Sequence, residues 1–160
     1  MPFGELVQEA FEDALILAQP GHVRVTLDEC AAAPLLGDRH RLRQLLLILV
    51  DNAVKYNRAG GEIHLALRAQ DSTAELRITN DGGTLTPNQE RLFGRFVRGE
   101  NVMGKVEGCG LGLTIAQWIV QAHGGTIELR PDGEEKPTAL VRLPLARATQ
   151  PVAAEQLAGV

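Results

Sequence analysis

The sequence predicts an α/β protein, on two apolar periods and one glycine-rich turn. Stretches with an apolar residue every three or four positions alternate with stretches in which every second residue is apolar. Between them, Gly108-Cys109-Gly110-Leu111-Gly112-Leu113 opens one of the helical stretches. Taken in order, residues from about Phe3 to Ala18 place Leu6, Ala10, Ala14 and Leu17 on one side of a helix. After Pro20-Gly21, His22 to Leu27 alternates Val23, Val25 and Leu27 with polar neighbours, as a strand does. Gly37-Asp38 interrupts the pattern, and Asp38 is placed to cap a helix from about Arg39 to Tyr56. The core stripe of that helix is Leu42, Leu46, Leu49 and Ala53. A turn over Asn57 to Gly61 leads to two alternating runs: Ile63, Leu65, Leu67, then Ala74, Leu76, Ile78. The polar turn Gln70 to Ser72 separates them, which predicts an antiparallel hairpin.

From there the chain changes character. Thr86-Pro87-Asn88-Gln89 combines an N-cap, a proline at the first helical position and a capping-box glutamine, so a short helix through Leu92 and Phe93 is expected. Gly99 to Gly108 has no apolar period and holds three glycines, the composition of a flap. A helix from about Gly110 to His123 should turn Leu111, Ile115, Trp118, Ile119 and Ala122 inward, with Gly124-Gly125 as its stop. Thr126 to Leu129 and Thr138 to Leu143 read as closing strands. The expected division is a domain over 1–145 and a frayed tail over 146–160, which is rich in Ala, Gln and Val without period.

Composition excludes several functions. A chain of 160 residues makes one domain, with 44% hydrophobic and 22% charged residues, ordinary for a globular protein. The net charge of −4 offers no basic excess for nucleic-acid phosphates. The apolar run Leu45 to Val50 is far too short to span a bilayer, and Glu5, Glu9, Glu12 and Asp13 stand where a signal peptide needs basic residues. Two cysteines without C-x-x-C spacing predict reduced thiols, with neither a disulfide framework nor a zinc site.

Chemistry concentrates in three places. Ile48, Asn52, Lys55 and Tyr56 share one helix face, at i, i+4, i+7 and i+8. Asn52 can give Mg²⁺ a neutral oxygen, Lys55 can reach a phosphate, and Tyr56 can lie against a purine. Asn80 continues the apolar row Ala74, Leu76, Ile78, so a polar amide points where a core residue would, and Gly82 lets a flat ligand approach. The glycine turn offers bare N–H groups at a helix N-terminus, where the macrodipole favours an anion. No Gly-Lys-Ser/Thr follows it and no strand–helix–strand unit encloses it, so it is neither a P-loop nor a dinucleotide fingerprint. Together the three describe a nucleotide pocket with a metal-bridged triphosphate.

These motifs, in this order, resemble the catalytic ATP-binding domain of bacterial sensor histidine kinases, within the superfamily of type II topoisomerases, Hsp90 and MutL. Asp51 to Asn57 is similar to the family's N box, Asn80-Asp81-Gly82 to its G1 box, Arg91 to Gly99 to its F box and Gly108 to Leu113 to its G2 box. Gly124-Gly125-Thr126 and Thr138 match the closing sequence, and the likeness runs from about Phe3 to Pro144. The resemblance implies a two-layer α/β sandwich, a mixed sheet backed by helices, with ATP and Mg²⁺ between the helix layer and a lid over about Gly99 to Glu107. Carried over by position, Asn52 holds the metal, Lys55 contacts phosphate and Tyr56 contacts adenine. Asn80 accepts from the adenine amine, and Gly82, Gly108, Gly110 and Gly112, with Leu111 among them, line base and phosphates. Arg95 or Arg98, and Lys105, neutralise the γ-phosphate.

Three positions depart from the family pattern. Asn80 replaces the usual aspartate, keeping the acceptor oxygen without the charge. Thr84 stands where a second glycine is common. Ile48 occupies the position at which many kinases have an asparagine and the ATPase branches a glutamate, and an isoleucine cannot deprotonate water. His22, His40, His64 and His123 all lie outside the family's acceptor motif and read as surface or turn residues. The resemblance therefore implies transfer to a histidine on a separate dimerisation domain, in cis or in trans, with a response regulator downstream. It implies a cytoplasmic setting, without nucleic acid or direct membrane contact. An anti-sigma-factor-type serine kinase and a degenerate nucleotide-binding interaction module share the fold and remain as alternatives.

Overall fold

The computed structural model describes residues 1–55, 57–80, 109–132 and 136–146. Among them are three α-helices, α1 (Phe3–Leu17), α2 (Arg39–Lys55) and α3 (Cys109–Ala122). The five strands are β1 (Arg24–Cys30), β2 (Glu62–Gln70), β3 (Thr73–Asn80), β4 (Thr126–Asp132) and β5 (Lys136–Pro144). The expected short helix near Leu92 and the flap lie outside the described residues, as does the tail beyond Ala146.

One mixed sheet of order β1-β2-β3-β5-β4 results. Only β1 and β2 are parallel, and α2 supplies the crossover that a parallel pair requires. The β2–β3 hairpin closes through Asp71 and Ser72, both at positive φ (51° and 69°), the backbone whose twist matches that of the flanking strands. Strict alternation then sorts the two faces. Ile127, Val141, Leu76 and Leu67 make one buried row across four strands, and Leu65 pairs with Ile78 in the next. All three helices cover this face. Central α2 buries Leu42, Leu45, Leu46, Leu49, Val50 and Ala53 between sheet and neighbours. Its start is fixed as expected: Asp38 Oδ1 accepts from the N–H groups of His40 (2.9 Å) and Arg41 (3.2 Å). Arg39 and Arg43 tie α2 to Glu9 of α1.

The opposite face is charged. Arg142 lies 3.2 Å from Glu75 and 3.6 Å from Glu128, and Arg68 lies 2.8 Å from Glu29. At its edge His64 sits between carboxylates, Nδ1 3.1 Å from Asp28 and Nε2 3.0 Å from Glu62. The hydrogen bond to Glu62 is the main reason its pKa is raised; burial opposes it, and Asp28 adds to the upward shift. A raised folded-state pKa means the contribution is whole below the unfolded value and is lost as pH rises through the folded one. The parent should therefore lose a small stability increment as pH rises above about 6.5, and His64→Gln should not. Urea midpoints at several pH values test this, and identical pH slopes for the two proteins would refute it.

Four sequence expectations are corrected. The first strand begins at Arg24 and not His22, because His22 takes a left-handed φ of 55° and Val23 N–H closes back on Ala18. Leu17 is exposed, since the stripe continues Ala14 to Ala18 at i+4 and leaves Leu17 one step around the helix. Trp118 is 60% exposed and Ala122 is also outside. The α3 segment is apolar nearly all round, so two stripes fit it. The structure buries Leu113, Ala116, Ile119 and Val120, which turns Trp118 toward solvent in a groove beside Arg41.

Candidate nucleotide-binding site

Helix α2 packs on α3 above and β3 beneath, and the candidate residues lie on these three elements. The two helices run antiparallel. At one end a side chain on Gly37 would meet the His123 ring at 2.6 Å; at the other, one on Gly112 would touch Ile48 at 3.5 Å. Equal steps along both helices then bring the first turn of α3, Gly110 and Cys109, level with Val50 and Asp51, one residue short of Asn52. The glycine turn and the N box, far apart in sequence, thus share one end of the helix pair.

Asn52 is half-buried on α2, one turn beyond Ile48. Lys55 is exposed, with Nζ 3.2 Å from Asp51 Oδ2. Such an exposed i,i+4 pair is worth only about 0.3–0.5 kcal/mol, so Lys55 is easily drawn to a stronger anion. No acidic residue occupies the first turn of α3. Its N–H groups and dipole are therefore not neutralised from within the helix, which suits an incoming phosphate.

Asn80, the last residue of β3, is 5% exposed and paired with Ile63. Its Oδ1 is the one buried side-chain oxygen or nitrogen without a hydrogen bond among the described residues. Leaving a buried acceptor unpaired costs about 1–3 kcal/mol, so the site fits a ligand that brings a donor, as a purine amine does. Among the described residues no group of three or more His, Cys, Asp or Glu forms a metal cage. A single Asn52 oxygen fits Mg²⁺, which keeps most of its coordination for phosphates and water.

The structure thus brings together Asn52, Lys55 and the α3 turn containing Gly110 and Gly112, and it buries Asn80 at the end of β3, a strand on which α2 packs. Tyr56, Gly82, Arg95, Arg98, Lys105 and Gly108 lie outside the described residues, as does the side chain of Leu111. Sequence reasoning missed the contact of Gly37 and Asp38 with His123, because nothing in a single chain pairs a loop glycine with a helix-ending histidine 86 residues later.

Residues 37–147 match the family described as "Histidine kinase-, DNA gyrase B-, and HSP90-like ATPase". The adaptive-response sensory kinase SasA of Thermosynechococcus vestitus is 35% identical over 126 residues, 77% of this chain and 33% of the relative. The mycobacterial sensor histidine kinase MprB superposes with a TM-score of 0.73 at 24% identity, over 91% of this chain and 95% of that one. Full-length ShkA in complex with AMPPNP superposes with a TM-score of 0.71 at 25% identity, over 91% of this chain and 30% of that one. The chain spans about a third of the length of the curated relative it matches.

Proposed function

Because the chain belongs to the histidine kinase-, DNA gyrase B- and HSP90-like ATPase family, we propose that it binds Mg-ATP and donates the γ-phosphate to a histidine. That histidine lies on a separate dimerisation domain, in cis or in trans, within two-component signalling. The observation that carries this reading is Ile48. Its Cγ2 lies against Gly112 of the glycine turn, one helical turn from Asn52. At the position of Ile48 α2 presents an aliphatic group and no base, so a water beside it is not activated from there. An imidazole nitrogen arriving from a partner needs no such base, since its own lone pair attacks phosphorus while ADP leaves. Phosphoryl transfer asks the protein chiefly for positioning and charge stabilisation.

Within that frame Asn80 holds the adenine amine, Tyr56 and Gly82 flank the base, and Lys55 and the turn Gly108, Gly110, Leu111, Gly112 receive the phosphates. Arg98 and Lys105 neutralise the γ-phosphate. Mg²⁺, held by Asn52, screens phosphate charge when bound. The catalytic unit is 1–145, acting in the cytoplasm with a response regulator downstream and without nucleic acid. Among the described residues no helix is long and apolar enough to cross a membrane.

Incubation with γ-labelled ATP tests the proposal. The domain alone should neither turn over ATP quickly nor label itself. Addition of the cognate histidine-bearing hairpin should produce an acid-labile phosphohistidine in trans. Rapid hydrolysis by the domain alone would move it to the ATPase branch, and acid-stable phosphoserine on a partner would make it an anti-sigma-type kinase.

A further inference from the structure

We propose that His123 is a positioning residue, a neutral imidazole clamp that sets the height of α3 and so of the phosphate-binding turn beside Asn52. The functional half of this inference rests on the nucleotide-binding role proposed above. His123 follows directly on α3, and its ring spans two helix ends. Nδ1 lies 2.7 Å from the carbonyl oxygen of Ile119, which can only accept, so Nδ1 carries the proton. Nε2 is then left with its lone pair and accepts the N–H of Asp38 at 3.1 Å. Asp38 is the N-cap of α2, and its own carboxylate accepts from the N–H groups of His40 and Arg41. One imidazole tautomer thus satisfies both helix ends, and any side chain on Gly37 would collide with the ring at 2.6–2.8 Å.

Most of the buried side chains of α3 hold it without direction: Leu113, Ala116, Ile119 and Val120 are apolar and apolar burial is non-directional, with Thr114 the one buried polar side chain among them. A slip of one residue moves a helix by about 1.5 Å along its axis. A directional pair of hydrogen bonds at His123 opposes that slip, and a rigid helix carries the constraint to Gly110 and Gly112 at its other end. The base-binding end, at Asn80 on β3, is not on this lever. Loss of the clamp should therefore harm phosphate binding selectively.

The experiment compares the parent with His123→Phe, His123→Gln and Gly37→Ala, each titrated with adenosine and with the magnesium complex of a non-hydrolysable ATP analogue. His123→Phe and Gly37→Ala should bind the triphosphate about tenfold more weakly, a modest share of what a 1 Å misplacement can cause. Both should bind adenosine as the parent does. His123→Gln, whose amide offers one donor and one acceptor, should recover most of the loss. The ¹⁵N spectrum of the parent imidazole should show the Nδ1–H tautomer, a readout that needs no nucleotide. An Nε2–H tautomer, or equal losses for both ligands, would overturn the clamp. Should His123→Phe not fold, Gly37→Ala and the tautomer still decide. A parent that binds neither ligand would refute the kinase reading and the positioning role together, while the spectrum would report the clamp separately.

Discussion

Asn52→Ala is expected to weaken Mg-ATP binding by about 10- to 100-fold, the order seen when support for a bound metal is removed. Adenosine binding should stay within about twofold, as for a substitution that touches no base contact. The split follows from placement. Asn52 is half-buried one turn from Ile48 and one residue past the level of Cys109, so the proposed function sets it at the phosphate end of the site. Adenosine carries neither phosphates nor the metal they bring. Calorimetry with both ligands, with and without magnesium, reads the difference. Equal losses for the two would remove Asn52 from the metal and return it to general support of the pocket.

Asn80→Leu should act with opposite signs on stability and on binding. Its Oδ1 is buried and unpaired, so the nucleotide-free protein already bears the desolvation of that oxygen. An apolar side chain of similar size removes that cost and should raise the melting temperature. The same change leaves the adenine amine without an acceptor, which costs about 1–3 kcal/mol, or roughly 5- to 150-fold in ATP affinity. Asn80→Asp keeps the acceptor and should bind at least as well as the parent. Thermal melts beside ATP titrations test all three statements. An Asn80→Leu protein that binds ATP like the parent would favour the reading as a degenerate interaction module.

The fold was legible where period and punctuation agreed. Asp38 caps α2 as its position implies, and Leu42, Leu46, Leu49 and Ala53 are buried as a 3.6-residue period requires. The β2–β3 alternation is equally plain, and by itself it places Asn80 on the buried face. Legibility failed where the pattern was degenerate. In α3 nearly every side chain is apolar, so period alone could not choose between the stripe with Trp118 and the stripe with Ala116. Strand order was also beyond reach, since alternation tells which face a residue takes but not which neighbour it meets. The burial of Asn80 was readable because a polar group stood in an apolar row, and Asn52 stood out only as a polar residue on a shared helix face. The His123 clamp was not, because its two halves meet only through the antiparallel packing of α2 and α3.

The irregularity of β1 bears on association between molecules. β1 is an edge strand, and its pairing with β2 shifts register between Leu27 and Glu29, leaving Asp28 out of the ladder. A flat, unbroken edge presents free N–H and C=O groups at the spacing that another chain's strand needs. Here the bulge breaks that spacing in mid-strand, and exposed Arg24, Asp28 and Glu29 surround it with charge. Any strand from a second molecule would have to match an offset ladder and bury those ions to dock. The carboxylate that steadies His64 thus also guards this edge of the sheet against aggregation.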